Sequence, residues 1–204
     1  MDLPFFIKGL IFGFSIAAPV GPIGILCIRR SLTDGWRAGL LTGMGAASAD
    51  AIYGCMAAFG LAGIAGFLVG QQVWIRLVGG LFLLWMGLKI FLAKSESPPL
   101  RGKSVNGAPG YLSALLLTLT NPMTILSFAA VFAGMGLGVT GSGPIAAGWL
   151  VGGVFAGSMA WWIILSSTSS RFNRYANAGA MEWVNRLSGA VLIVFGCIAV
   201  IGLL

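Results

Sequence analysis

The sequence has no histidine, only five acidic residues, and a charged fraction of 8%. An ordinary globular domain carries roughly 25% charged residues. Without histidine, the usual general base, metal-binding imidazole and haem ligand are all missing. The three cysteines, Cys27, Cys55 and Cys197, stand singly in apolar stretches without CxxC spacing. They read as small hydrophobes in helices, not as a metal or redox centre. Nothing in this inventory calls for a cofactor.

What the sequence has in excess is carbon. Hydrophobic residues make up 58% of it, and the 32 glycines raise the apolar share to about three-quarters. So little polar surface cannot cover a water-soluble particle, which excludes a soluble enzyme and equally a disordered chain. Runs such as Leu112 to Leu117 do not alternate polar with apolar residues, as the strands of a membrane barrel would. Helices therefore span the bilayer. Six apolar segments can be traced, at roughly 4–28, 38–62, 64–92, 110–136, 144–168 and 184–204. Each has about the 20 residues that a crossing needs. The expectation is an all-α integral membrane protein, one transmembrane domain over 1–204 with short loops. Lys8 ahead of an apolar run, with Ser15-Ile16-Ala17 behind it, has the look of a cleaved leader. The run continues past Pro22 to Ile28, which favours a first span instead.

Charge sets the orientation. Arg29, Arg30 and Arg37 bound the first loop; Lys89, Lys94, Arg101 and Lys103 the third; Arg171, Arg174 and Arg186 the fifth. Ten of the 12 basic residues thus fall on one side, leaving Lys8 and Arg76. By the positive-inside rule these loops are cytoplasmic and both termini lie outside. The net charge of +7 is accordingly a topology signal, and no nucleic-acid partner is expected.

The two halves echo each other. Arg76-Leu77-Val78-Gly79-Gly80 matches Arg186-Leu187-Ser188-Gly189-Ala190, Gly45 to Asp50 matches Gly153 to Ser158, and Pro19 matches Pro122, at offsets of 110, 108 and 103. With three spans in each half, the second copy enters the membrane from the opposite side, the inverted-topology repeat of secondary transporters. The expected units are residues 1–93 and 110–204, joined by a cytoplasmic linker at 94–109.

Two spans are interrupted. Pro19-Val20-Gly21-Pro22 breaks the first, and Asn121-Pro122 breaks the fourth, since proline removes an amide donor and clashes with the preceding turn. A restarted helix presents free N–H groups suited to a carboxylate. Asp50 is the acid inside a span; the other four, Asp2, Asp34, Glu96 and Glu182, lie at loops or ends. A carboxylate there costs about 2.5–3.5 kcal/mol on insertion scales, so it is expected to face a cavity and act on substrate or protons. Its repeat mate Ser158, and Tyr53 one turn on, can supply neutral hydrogen bonds. Gly39, Gly43 and Ala47, and Gly148, Gly152 and Gly153 to Gly157, are read as close-packing faces. Trp161 and Trp162 are read as interfacial anchors, with one of them a candidate cavity wall.

These residues resemble the LysE/RhtB family of amino-acid exporters over nearly the whole chain. Ala18 to Gly24 is similar to that family's Pro-Gly-Pro signature, with Val20 inserted; Gly35 to Leu41, Gly45 to Asp50, Gly79 to Lys89 and Asn121-Pro122 are similar to its second-, third- and fourth-span motifs. The resemblance implies an exporter in the bacterial inner membrane that moves amino acids or related zwitterions outward by proton antiport, with a homodimer as a further implication. Substrate would meet Pro19, Gly21, Pro22, Asp50, Tyr53, Asn121, Pro122 and Ser158, and Asp50 would carry the coupling proton. Three alternatives stand beside it. A metal-ion exporter of the same superfamily would find poor ligands in one acid and no histidine. A thiol-disulfide conductor would want a cysteine after each break, whereas Cys27 has Ser127 as its counterpart. A structural membrane protein would bind no solute.

Overall fold

Proline and glycine set the ends of the first helices. In the computed structural model, which describes residues 3–19, 21–58, 70–93, 108–121, 124–125, 127–128, 143–172 and 178–201, helix α1 (Leu3–Ala17) closes with a bond from Ala18 N to Phe14 O and stops at Pro19. Helix α2 (Pro22–Thr33) restarts with Gly21 as its N-cap and Pro22 in the first turn, where a missing N–H costs nothing. The angle between α1 and α2 is 81°. After Asp34 the chain turns through Gly35, whose φ of +90° an L side chain rarely adopts, and enters α3 (Trp36–Ala58). Then follow α4 (Gln72–Phe91), α5 (Ala108–Leu119), α6 (Gly143–Arg171) and α7 (Ala178–Ile201). There is no strand among the described residues.

Two described helices are each long and apolar enough to cross a bilayer, α6 and the Glu182–Ile201 stretch of α7. The bent pair α1 and α2 passes the same length and composition test when counted as one broken span. Helix α3 has 23 residues, about 34 Å of rise, but Thr42, Ser48, Asp50 and its glycines make it less apolar. The outer faces carry large exposed hydrophobics, among them Ile7, Ile11, Trp85, Leu116, Trp149 and Ile198. A surface of this kind is what lipid solvates and water does not.

Glycine decides which helices meet. A Cβ on Gly153 would sit 2.2 Å from Phe6 O and 2.9 Å from Leu10 N, so α6 lies backbone to backbone against α1, running parallel to it. A Cβ on Gly45 would sit 2.2 Å from Tyr111 O and 3.1 Å from Leu115 N, so α3 lies against α5 in the same way. The remaining close pairs are antiparallel. Helix α3 packs on α6 through Gly39 against Ser166 and Gly43 against Trp162. Helix α4 packs on α7, where a Cβ on Gly196 would be 2.9 Å from Gly80 O and one on Gly189 would be 2.8 Å from Gly87 O. The close-packing face expected at Gly39 and Gly43 is present. In α6 it narrows to Gly153 and Gly157, because Gly148 and Gly152 have open space where a side chain would be.

Polar tethers gather one end of the bundle. Arg29 Nε donates to Asn185 Oδ1 at 2.8 Å, and Trp36 Nε1 donates to Ser167 Oγ at 3.0 Å. Arg30 Nη1 donates to Thr42 Oγ1 and to Gly110 O, and its Nη2 to Ser113 Oγ. These bonds bring the C-terminal ends of α2 and α6 to the N-terminal ends of α3, α5 and α7. Lys89, in the last turn of α4, comes to the same end because α4 runs antiparallel to α7. The basic residues Arg29, Arg30, Arg37, Lys89, Arg171 and Arg186 thus share one end of the bundle, and Arg186 pairs there with Glu182. Lys94, Arg101, Lys103 and Arg174 lie outside the described residues.

Candidate functional site

The break between α1 and α2 places Gly21 as a helix N-cap, with the first helical bond from Ile25 N to Gly21 O at 3.0 Å. The amides of Ile23 and Gly24 precede that bond and have no acceptor in their own helix. At the second break α5 ends at Leu119, and a bond from Ile125 N to Asn121 O, 3.1 Å, opens the next helical turn. Asn121 therefore holds the N-cap position that Gly21 holds in the first break. Pro22 follows its N-cap by one residue, as Pro122 follows Asn121 in the sequence, and Pro19 ends α1 before the first cap is reached. Pro122 itself lies outside the described residues, as does Val20.

Both breaks open onto one cavity. Its wall takes Ala17, Pro19, Gly21 and Pro22 from the first break, Thr118, Asn121 and Thr124 from the second, Asp50 from α3 and Trp162 from α6. The open space, mouth included, is about 380 Å³. Asp50 is 3% exposed, and Ser158 Oγ donates to its Oδ2 at 2.7 Å. Trp162 Nε1 donates to the same Ser158 oxygen at 3.1 Å. The hydroxyl both orients the carboxylate and holds the indole beside it. Desolvation at such a site makes a lone charge costly, so a cationic group arriving in the cavity gains a partner that water no longer screens.

Of the residues picked out from sequence, Pro19, Gly21, Pro22, Asp50 and Asn121 line this cavity, and Ser158 stands behind Asp50. Tyr53 does not line it. Its hydroxyl donates at 2.7 Å to Leu119 O, at the last residue of α5, and its ring packs 5.3 Å from Phe128. Trp162 is not an interfacial anchor: it is 4% exposed, while Trp36, Trp74, Trp85, Trp149 and Trp183 are exposed. Trp161 packs edge-on to Phe14 at 5.6 Å. Trp162 is the one of the tryptophan pair that lines the cavity; Thr118 and Thr124 escaped the sequence reading although spacing pointed to them, three residues either side of Asn121, about one helical turn each. The cysteines are free thiols, with Cys27 buried and donating to Gly39 O at 3.4 Å. No group of three acid, cysteine or histidine side chains comes together among the described residues.

A family model described as LysE type translocator matches residues 14–202, a stretch that contains both breaks, Asp50, Ser158 and Trp162. The chain belongs to the LysE translocator family. Among its relatives, YcgF of Bacillus subtilis (strain 168), whose name proposes amino acid efflux, is 27% identical over 199 residues, 94% of this chain and 92% of that one. YahN of Escherichia coli (strain K12), an uncharacterized membrane protein, is 31% identical over 172 residues, 82% and 76% of the two chains. ChpE of Pseudomonas aeruginosa, named as a chemotactic transduction protein, is 29% identical over 188 residues, 90% and 85%. No solved structure matches the chain. As a LysE translocator it is a membrane transporter, and the resemblance seen in its motifs is a family membership. The cavity is the place in this translocator where unwound backbone, a buried acid and open space coincide.

Proposed function

We propose that this LysE translocator exports amino acids or related small zwitterions across the inner membrane in exchange for protons, and that the cavity between its two breaks is the transport site. The observation that carries the reading is the convergence of both interrupted helices on Asp50. Irregular backbone at membrane depth is tolerated where it lines a cavity, and transporters place substrate there. The N-terminus of α2 and the restart at Asn121 and Pro122 would meet the substrate carboxylate; Asp50 would meet the ammonium group. A proton arriving at Asp50 from outside would neutralise it, release the ammonium group and so couple export to proton entry. Ser158 and Tyr53 then act behind the site, Ser158 on Asp50 and Tyr53 on the C-terminal end of α5.

The six-crossing arrangement, with basic loops inside and both termini outside, belongs to the same proposal. The helix directions support it, since α1, α3, α4, α5, α6 and α7 alternate in sense along the chain and the described basic residues of the loops meet at one end. The inverted repeat over 1–93 and 110–204 is supported by twin contacts: Gly45 against Tyr111 and Leu115 repeats Gly153 against Phe6 and Leu10, and the α4–α7 pair Gly80 with Gly196 repeats Gly87 with Gly189 in reversed order. A homodimer rests on the family resemblance alone.

The test is transport in proteoliposomes under an imposed pH gradient. Wild-type protein should drive labelled amino acid against its concentration gradient, and Asp50→Asn, which can still accept from Ser158, should keep the fold and lose the gradient-driven component. Gradient-driven transport with unchanged pH dependence in Asp50→Asn would overturn the coupling role.

A further inference from the structure

The charge inventory of the cavity narrows what it can hold. Among the described residues of its lining Asp50 is the charged one, with no lysine or arginine beside it. The break positions outside the described residues, Val20, Pro122, Met123 and Leu126, add no charge by their chemistry. A zwitterion with a neutral side chain balances this site: its ammonium group faces Asp50, and its carboxylate faces the amides of Ile23 and Gly24 at the positive end of α2. A lysine or arginine substrate brings a second cation with no second acid to receive it. A glutamate brings a second anion with no fixed cation. Either mismatch leaves a poorly solvated charge without a partner, which is strongly unfavourable in an enclosed apolar setting.

A second cavity lies on the far side of Pro22 and Asn121, which form part of both walls. It lies between α4, α5 and α7, a small hollow of about 270 Å³ with its open mouth included, and its lining adds Gly79, Gly80, Leu83, Leu117, Thr120 and Ala199. Apart from Asn121 and Thr120 this wall is carbon, and the Thr120 hydroxyl already donates to Leu116 O at 2.8 Å. Apolar space next to a polar head-group site is where an aliphatic side chain gains most from leaving water.

We infer that the substrate is a neutral amino acid with an apolar side chain, its head group held between Asp50 and the N-terminus of α2 and its side chain lodged against Leu83, Leu117 and Ala199. This rests on the exporter reading of the same cavity. It assigns specificity to residues of α4, α5 and α7 that lie outside the breaks.

The experiment is counterflow of labelled L-leucine in proteoliposomes containing the full chain, with unlabelled competitors. Leucine should compete; lysine, glutamate, leucinamide and 4-methyl-2-oxopentanoate, which lack either charge balance or one head-group charge, should each be at least about tenfold weaker. Ala199→Leu should weaken leucine about tenfold more than it weakens alanine. Leu83→Ala, which leaves space instead of filling it, should improve phenylalanine relative to leucine. Lysine or glutamate competing as well as leucine overturns the inference while leaving the exporter standing. Equal effects of Ala199→Leu on alanine and leucine, with Leu83→Ala leaving the preference untouched, overturn the side-chain placement. If no amino acid exchanges in any arm, the exporter reading itself fails.

Discussion

Ser158 donates a 2.7 Å hydrogen bond to Asp50 across the antiparallel contact of α3 and α6, from a position 108 residues further along the chain. One turn beyond, Trp162 donates to the same oxygen. The line Trp162, Ser158, Asp50 therefore depends on one hydroxyl that donates in one direction and accepts from the other. Ser158 is fully buried, so nothing from solvent can replace it.

Ser158→Ala should leave both the indole N–H and a carboxylate oxygen without this partner, a loss of about 1–3 kcal/mol by the usual cost of an unmet buried polar group. The detergent melting temperature should fall and export should slow. An unchanged melting temperature would show that the hydroxyl holds neither neighbour.

The helix seams predict a contrast among glycines. Gly45→Ala and Gly153→Ala each force a methyl group to within 2.2 Å of a backbone oxygen. Each should destabilise the protein by about 1–3 kcal/mol or more, the range for overpacking. Gly148→Ala and Gly152→Ala point into open space and should leave the melting temperature unchanged. Equal losses at all four positions would contradict the seams described here.

Tyr53→Phe removes the 2.7 Å bond to Leu119 O and leaves the ring in place. A loss of about 1 kcal/mol in stability is expected. Because the hydroxyl lies behind the cavity, substrate affinity measured by competition should stay within about twofold of wild type, well under the tenfold that 1.4 kcal/mol represents. A drop beyond tenfold would make Tyr53 a binding residue after all.

Arg30 reaches Thr42, Gly110 and Ser113 with one guanidinium and so ties α2 to α3 and to the start of α5. Arg30→Lys keeps the charge but not the fork, and should recover little of the stability lost in Arg30→Ala. Thermal melting of the two variants decides this. Full recovery in Arg30→Lys would mean that charge at this end matters and the tethers do not.

Much of the architecture was legible along the chain because its causes are local. Proline at 19 and 22 and at 122 breaks helices wherever it stands, and Gly35 with Asp34 marks a turn for any partner. Asp50 was conspicuous because a carboxylate inside an apolar run is costly in any fold. The roles of aromatic residues were less legible. Trp161 and Trp162 are adjacent and equally suited to an interface, and the helix phase relative to α1 and α3 sends Trp162 inward. The capping of the two breaks was also less legible, since spacing shows where proline occurs and not which residue caps the new helix.

Composition by itself determined the solvent and the class: so few charges and so much carbon require a bilayer, and the scarce basic residues mark one end of the bundle. The motifs determined the family. Tertiary structure alone decided that both breaks, Asp50 and Trp162 share one cavity, that Ser158 is the partner of Asp50, and that an apolar chamber adjoins it. Those relations join residues more than 100 positions apart, and they exist because glycine at 45, 80, 153 and 196 lets the helices approach to backbone contact. No pattern within a single span contains that distance.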